Sequence, residues 1–440
     1  METAQTVESV HGNRWFIGYF FSNLASGLIS PLIPLYVLLY LKLSVLYVGI
    51  ASAIVSTASV PVLILWGNLS DRYGRRKVFI VLGFVGGGAS LFGVMFASNI
   101  WLFVGILSLF QIIVMASVPV ATMIIIENSA RESWPNVMSR FNMVASVGNV
   151  VGLAAGAISI VWVSLDAKML VFLYIAAGAV YILAGLMVHL LIPEPVKKIQ
   201  RKRLASIYSV RIVEKLRFFP SNMIHIISPR QHSDRSISGA TWGFLASCAF
   251  LMFAFQVFFV PFPAYMIDIQ KSSDLIIYLM YLGNAVLGAF SYRFSGRVVN
   301  SLGPGKVLLG SLLTRGIIFG IAAILALAYV LGSATVFSLI IMYSVLGGIW
   351  SLISISQLTI LSNNVKTSVK GRAIGYYNSL TGVGQIMAAL AAGYLSEILG
   401  YGVTFSLSVM FLAISGVFLM KAISSMSGKK RGAAGATAPA

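Results

Sequence analysis

Apolar residues run in long blocks along the 440-residue chain, separated by short clusters of glycine, proline and charge. A helix crossing about 30 Å of hydrocarbon needs about 20 such residues. Blocks that qualify lie near 14–40, 44–69, 78–98, 100–126, 141–163, 169–192, 240–267, 275–295, 307–331, 333–361, 373–397 and 401–422. The pattern therefore predicts twelve membrane helices. Two blocks carry charge: 275–295 ends near Arg293, and 307–331 contains Arg315.

Composition agrees with that pattern. Hydrophobic residues make up 58% of the chain and charged residues 10%, against about 25% charge in an average soluble domain; so few charges cannot cover a water-facing surface. The start, METAQTVESVHGNR, has no basic region, and the apolar block after it is too long for a signal-peptide core, so 14–40 is expected to remain as a span. Cys248 is the single cysteine, which excludes an intramolecular disulfide and a thiolate metal site and predicts a buried apolar role.

A net charge of +19 would suggest nucleic acid in a soluble protein. The positions of the charges give another explanation. With the N-terminus placed in the cytoplasm, 28 of the 31 Lys and Arg fall on cytoplasmic segments or adjoining helix ends, and only Lys42, Lys168 and Lys271 fall outside. Such a bias is the mark of cytoplasmic loops. It predicts a multi-pass protein of the cell membrane with both termini cytoplasmic, held against anionic inner-leaflet lipids, with no nucleic-acid partner.

Six spans, a basic segment and six more spans suggest a duplication. Residues 65–78, LWGNLSDRYGRRKV, align with 294–307, FSGRVVNSLGPGKV, at an offset of 229: Gly67 with Gly296, Gly74 with Gly303, Lys77 with Lys306, and Asp71 with Asn300. Arg140 and Arg372 correspond at an offset of 232. The expected domains are a cytoplasmic N-terminus (1–13), a six-helix bundle (14–192), a basic cytoplasmic linker (193–239), a second six-helix bundle (240–422) and a disordered tail (423–440). The linker carries Leu204, Ile207, Val210, Val213 and Leu216 at three-residue spacing, as in helices lying on a membrane surface.

The stretch Gly67-Asn68-Leu69-Ser70-Asp71-Arg72-Tyr73-Gly74-Arg75-Arg76-Lys77 resembles the G-x-x-x-D-R-x-G-R-R-K signature of the major facilitator superfamily, and its degenerate copy follows the eighth span. The resemblance covers residues 14–422. It implies an all-α polytopic membrane protein, with twelve transmembrane helices in two pseudo-symmetric six-helix bundles around a central cavity. It also implies secondary transport by alternating access, with Gly67, Asp71, Arg72, Gly74, Arg75, Arg76 and Lys77 forming a gating latch. A helix-end carboxylate such as Asp71 suits that role, since it can pair with arginines and cap a facing helix.

Polar and small residues at helical spacing mark the candidate cavity faces: Asn23, Ser26, Gly27, Ser30 and Pro34 in span one; Ser108, Gln111, Met115 and Thr122 in span four; Gln256 in span seven; and Tyr343, Gly347, Trp350, Ser354 and Gln357 in span ten. Helix–helix packing also favours the small members of these stripes. The larger ones, Asn23, Gln111, Gln256 and Trp350, are expected to bind substrate. Gly148, Gly152 and Gly156 read as a packing ridge, with Gly283 and Gly288 as its partner surface. This ridge and Pro31-Leu32-Ile33-Pro34 partly resemble drug–proton antiporters, but Leu153 replaces a motif proline and Ser108 stands where those antiporters carry arginine.

All twelve acidic residues fall at span ends, in loops or in tails, so no carboxylate proton relay is expected at mid-membrane. Arg315 is expected either to snorkel to the headgroups or to attract an anionic substrate. No G-x-x-x-x-G-K-[ST] loop is present, which argues against ATP-driven transport. The reading is a monomeric carrier of a small molecule, with no cofactor, no metal and no enzymatic chemistry; a non-transporting sensor or scaffold of the same fold is the alternative.

Overall fold

The computed structural model describes residues 14–73, 76–128, 134–162, 167–192, 237–365 and 370–435. These residues form helical rods and no strand. In chain order they are α1 (Phe16–Tyr40), α2 (Val45–Tyr73), α3 (Arg76–Phe96), α4 (Ile100–Val114, continued by Ser117–Asn128), α5 (Trp134–Trp162) and α6 (Ala167–Leu191). Then follow α7 (Gly239–Asp268), α8 (Asp274–Leu302), α9 (Pro304–Leu327), α10 (Ser333–Asn364), α11 (Lys370–Leu399) and α12 (Tyr401–Gly435). Ten of the rods are long and apolar enough to cross a membrane; α2 and α4 hold shorter apolar helices, Val45–Ser59 and Ile100–Val114.

Local chemistry sets the helix ends. Asn99 caps α4 by accepting from the Leu102 N–H at 2.9 Å, and Ser238 caps α7 by accepting from Thr241 N–H at 3.2 Å. Between α8 and α9 the chain turns at Gly303 with φ of 86°, and Pro304 opens the next helix with its fixed φ. The tail differs from expectation: α12 runs on to Gly435, past residue 422. Residues 1–13 and the linker up to residue 236 lie outside the described residues.

The two halves repeat each other in detail. α1 breaks at Pro31 (φ −82°, ψ −9°) and α7 at Pro261 (φ −84°, ψ −9°). Past those breaks, Lys42 and Lys271 close the two helices with φ of 52° and 50°. The N–H of Leu43 then reaches back to Val37 O (3.0 Å), and that of Ser272 to Met266 O (2.9 Å). Glycine or asparagine usually occupies such a left-handed closing position. Two of the three lysines that break the charge rule thus sit, exposed, at carbonyl-rich helix ends.

Packing within each half uses the same contact. Gly152 of α5 lies against the Leu24 carbonyl of α1, and Gly384 of α11, 232 positions later, lies against the Ala249 carbonyl of α7. Gly148 adds the Phe20 carbonyl to the first contact. The partner expected for this ridge is corrected: Gly283 and Gly288 face Ser344 and Gly347 of α10, and only Gly156 meets α8, at the Tyr278 ring. The ridge binds α5 mainly to α1 because a carbonyl approach needs a face without side chains on one helix only.

Candidate functional site

In the first half, the predicted polar stripe of α1 is divided among its neighbours. The Ser26 hydroxyl lies 2.5 Å from the Tyr181 hydroxyl of α6, Gly27 abuts the Asn149 carbonyl of α5, and Pro34 is buried. Asn23 remains half-buried, its amide donating to the Tyr19 carbonyl one turn earlier at 2.8 Å. Gln111 is half-buried on α4. Just beyond it α4 breaks between Val114 and Ser117, where the Tyr19 hydroxyl donates to Ser117 O at 3.0 Å.

In the second half, the predicted stripe of α10 turns largely toward α8 and α11. Asn284 of α8 donates to Tyr343 O at 2.8 Å and places its own carbonyl against Gly347. Gln357 is fully buried and accepts the Tyr377 hydroxyl of α11 at 2.9 Å. Ser354 lies 3.3 Å from the Tyr292 hydroxyl. Of the stripe's large members Trp350 alone stays half-buried, its ring edge-on to Phe255 of α7 with centroids 5.8 Å apart.

Arg315 of α9 packs on the Phe255 ring of that pair. It is 1% exposed, so the expected snorkelling is corrected. The reason is geometric: α9 spans Pro304–Leu327, which puts Arg315 about three turns from either end, too deep for its side chain to reach a headgroup. Its guanidinium carbon lies 3.8 Å over the Phe255 ring centroid and 5.7 Å from that of Phe259. One terminal nitrogen donates to Leu346 O of α10 at 2.7 Å, while the Nε–H has no acceptor.

The four predicted substrate residues are thus all half-buried, and no hydrogen bond joins any two of them. Trp350 meets Phe255, the residue before Gln256 on α7; Asn23 and Gln111 stay on separate helices of the other half. Sequence reasoning missed Phe255 as the residue that touches both Trp350 and Arg315. The available signal was an arginine in mid-span together with the phenylalanine-rich run 250–259.

Among the described residues, contacts between the halves are found toward the end opposite the chain termini. There Gly49 of α2 meets Gly393 of α11 backbone to backbone: a side chain at 49 would stand 2.7 Å from both the Ala389 carbonyl and Gly393 Cα. Tyr278 of α8 packs on Gly156 of α5 and donates its hydroxyl to Leu28 O of α1 at 2.8 Å. At the other end, Arg76 and Lys77 are half-buried at the start of α3. Gly74 and Arg75, and the side chains at Gly67, Asp71 and Arg72, lie outside the described residues.

Residues 15–328 match the family model described as Major Facilitator Superfamily. An uncharacterized MFS-type transporter of Methanocaldococcus jannaschii is 24% identical over 418 residues, covering 91% of this chain and 95% of the relative. A multi-drug resistance efflux pump homolog of Lactococcus lactis is 26% identical over 207 residues, 46% of this chain and 48% of its own. Among solved structures, a nucleoside transporter superposes with a TM-score of 0.73 at 14% identity, over 93% of this chain and 98% of that one. The inward-open xylose transporter of E. coli gives 0.67 at 13%, over 92% and 95%.

Proposed function

We propose, from the premise that the chain belongs to the major facilitator superfamily and is a secondary transporter rather than an enzyme, that it carries a small organic solute by alternating access between two halves of six spans each, 14–192 and 240–422. The observation that supports this most is the contact between the halves among the described residues, Gly49 on Gly393 and Tyr278 on Gly156, toward the end opposite the chain termini. A seam closed at that end is what one state of such a cycle requires. With the termini in the cytoplasm, as the Lys and Arg distribution predicts, that seam is the outer gate and the state is inward-facing. Asp71 with Arg72, Arg75, Arg76 and Lys77 is then the inner gate, remade when the outer one opens. Asn23, Gln111, Gln256 and Trp350 are the proposed substrate contacts, and the basic linker rests on anionic lipid of the cell membrane.

The test uses the full chain in liposomes, with spin-label pairs at 42 and 271 on one end and at 140 and 301 on the other, all exposed positions. Cys248 is buried and stays unlabelled. Two distances at each end, exchanging in opposite senses and redistributed by Asp71→Asn, are the expected result. A single unchanging distance at both ends would falsify alternating access and leave a non-transporting scaffold.

A further inference from the structure

We infer that the transported solute is an amphipathic organic anion, a carboxylate or phosphate head on an apolar or aromatic body, and that Arg315 is the group that selects its charge. The inference rests on the transporter reading above and narrows its substrate.

Three observations carry it. First, Arg315 holds a full positive charge at the middle of a membrane-spanning helix, since an arginine does not deprotonate in proteins. Such a charge is kept inside a membrane protein when it pairs or when it works on a solute. Second, it has no counter-ion among the described residues. Its hydrogen bond goes to the neutral Leu346 carbonyl and its stacking partner is Phe255, while Nε–H has no acceptor. The described acids near this half are remote: Asp268 accepts from Tyr401 at the far end of α7, Asp274 opens α8 and Glu397 closes α11. Third, its surroundings are aromatic and include a proposed substrate contact. Phe255 touches both the guanidinium and half-buried Trp350, and Gln256 follows it on α7.

These features distinguish a selecting charge from a packing device. To fasten α9 to α10, a neutral donor to Leu346 O would suffice without an unpaired charge. With Phe255 turned aside, the Nε–H and a terminal N–H of one guanidinium present the parallel donor pair that fits a carboxylate or phosphate edge. Phe255 and Trp350 then flank the apolar body. Before contact, the uncompensated charge already draws anions, because a low-dielectric wall screens it little.

The experiment measures melting shifts and liposome uptake of the full chain with four probes of one shape: 2-naphthoate, 2-naphthyl phosphate, 2-naphthamide and 2-naphthylmethylammonium. The expected result is a response to one or both anions at concentrations at least about tenfold below the amide, and none to the ammonium. The two anions distinguish a carboxylate substrate from a phosphate one. Arg315→Lys should keep the preference for anions with weaker binding. Arg315→Gln should remove the preference while still melting cooperatively without ligand. If Arg315→Gln does not fold, the wild-type ranking still decides. Equal response to amide and anion, a preference for the ammonium, or an anion preference that survives in Arg315→Gln each overturns the inference. So does silence toward both anions. In any of these cases, label distances that still exchange at both ends leave the transporter reading standing, whereas frozen distances remove it too.

Discussion

In the first half of the molecule, α3 carries Gly86, and the side chain of Ile113 from α4 fills the space beside it. The residue 229 positions later is Arg315 of α9, bonded to α10 and stacked on Phe255. The facing residues diverge in the same way: α1 offers the small pair Ala25 and Ser26 where α7 offers Phe255 and Gln256. Elsewhere the halves agree closely, in the Pro31 and Pro261 breaks, the Lys42 and Lys271 closures, and the Gly152 and Gly384 contacts. Agreement falls where each half must hold itself together. Divergence falls at the wall where the two halves have no common structural demand. A duplicated protein thus carries its own internal control for telling scaffold from specificity.

The seams between halves show the same division and offer the largest effect. Gly49 and Tyr278 are repeat equivalents, yet one closes against bare backbone and the other with a ring. Gly393→Leu would drive a side chain into the Leu46 carbonyl, 2.9 Å from where its Cβ must stand. It should hold that end apart, lengthen the 42–271 label distance and reduce transport by about tenfold or more, because the gate cannot absorb the volume. Next, Gly152→Leu and Gly384→Leu should each cost about 1–3 kcal/mol, read as lowered melting temperature. Losses in both halves, the larger at Gly152 where the carbonyl is nearer, support the repeat, and a loss in one half alone would break it. Tyr278→Phe keeps the ring and removes one inter-half hydrogen bond of about 1 kcal/mol. It should move the label populations roughly fivefold toward the open outer end. The smallest effect is expected from Lys42→Gly and Lys271→Gly, which relieve left-handed strain and should each gain about 0.5–1 kcal/mol, whereas isoleucine at either position should lose stability.

The alternation of apolar blocks and the charge bias made the helical order legible, because a membrane imposes length and polarity on every span. The Gly67–Lys77 signature made the family legible. Helix rotation was harder to read. Serines 26 and 354, Gly347 and Gln357 mark polar faces correctly, but a polar face satisfied by Tyr181, Tyr292, Asn284 or Tyr377 has the same spacing as one open to a solute. Spacing cannot name a partner that lies far away in sequence. Arg315 was misplaced for a simpler reason. A span boundary drawn three residues late at its start, 307 instead of Pro304, moved the charge toward the surface and made a route to the headgroups look short.

That arginine also bears on how the chain is made. As α9 leaves the ribosome, a charge at its centre opposes entry into the bilayer by about 2.5–3.5 kcal/mol on the insertion scale. The groups that receive it, the Phe255 face and the Leu346 carbonyl, belong to a helix already synthesised and to one still to come. The folded contacts with α7 and α10 therefore offset a cost that α9 meets on entering the bilayer, and they tie its placement to both neighbours.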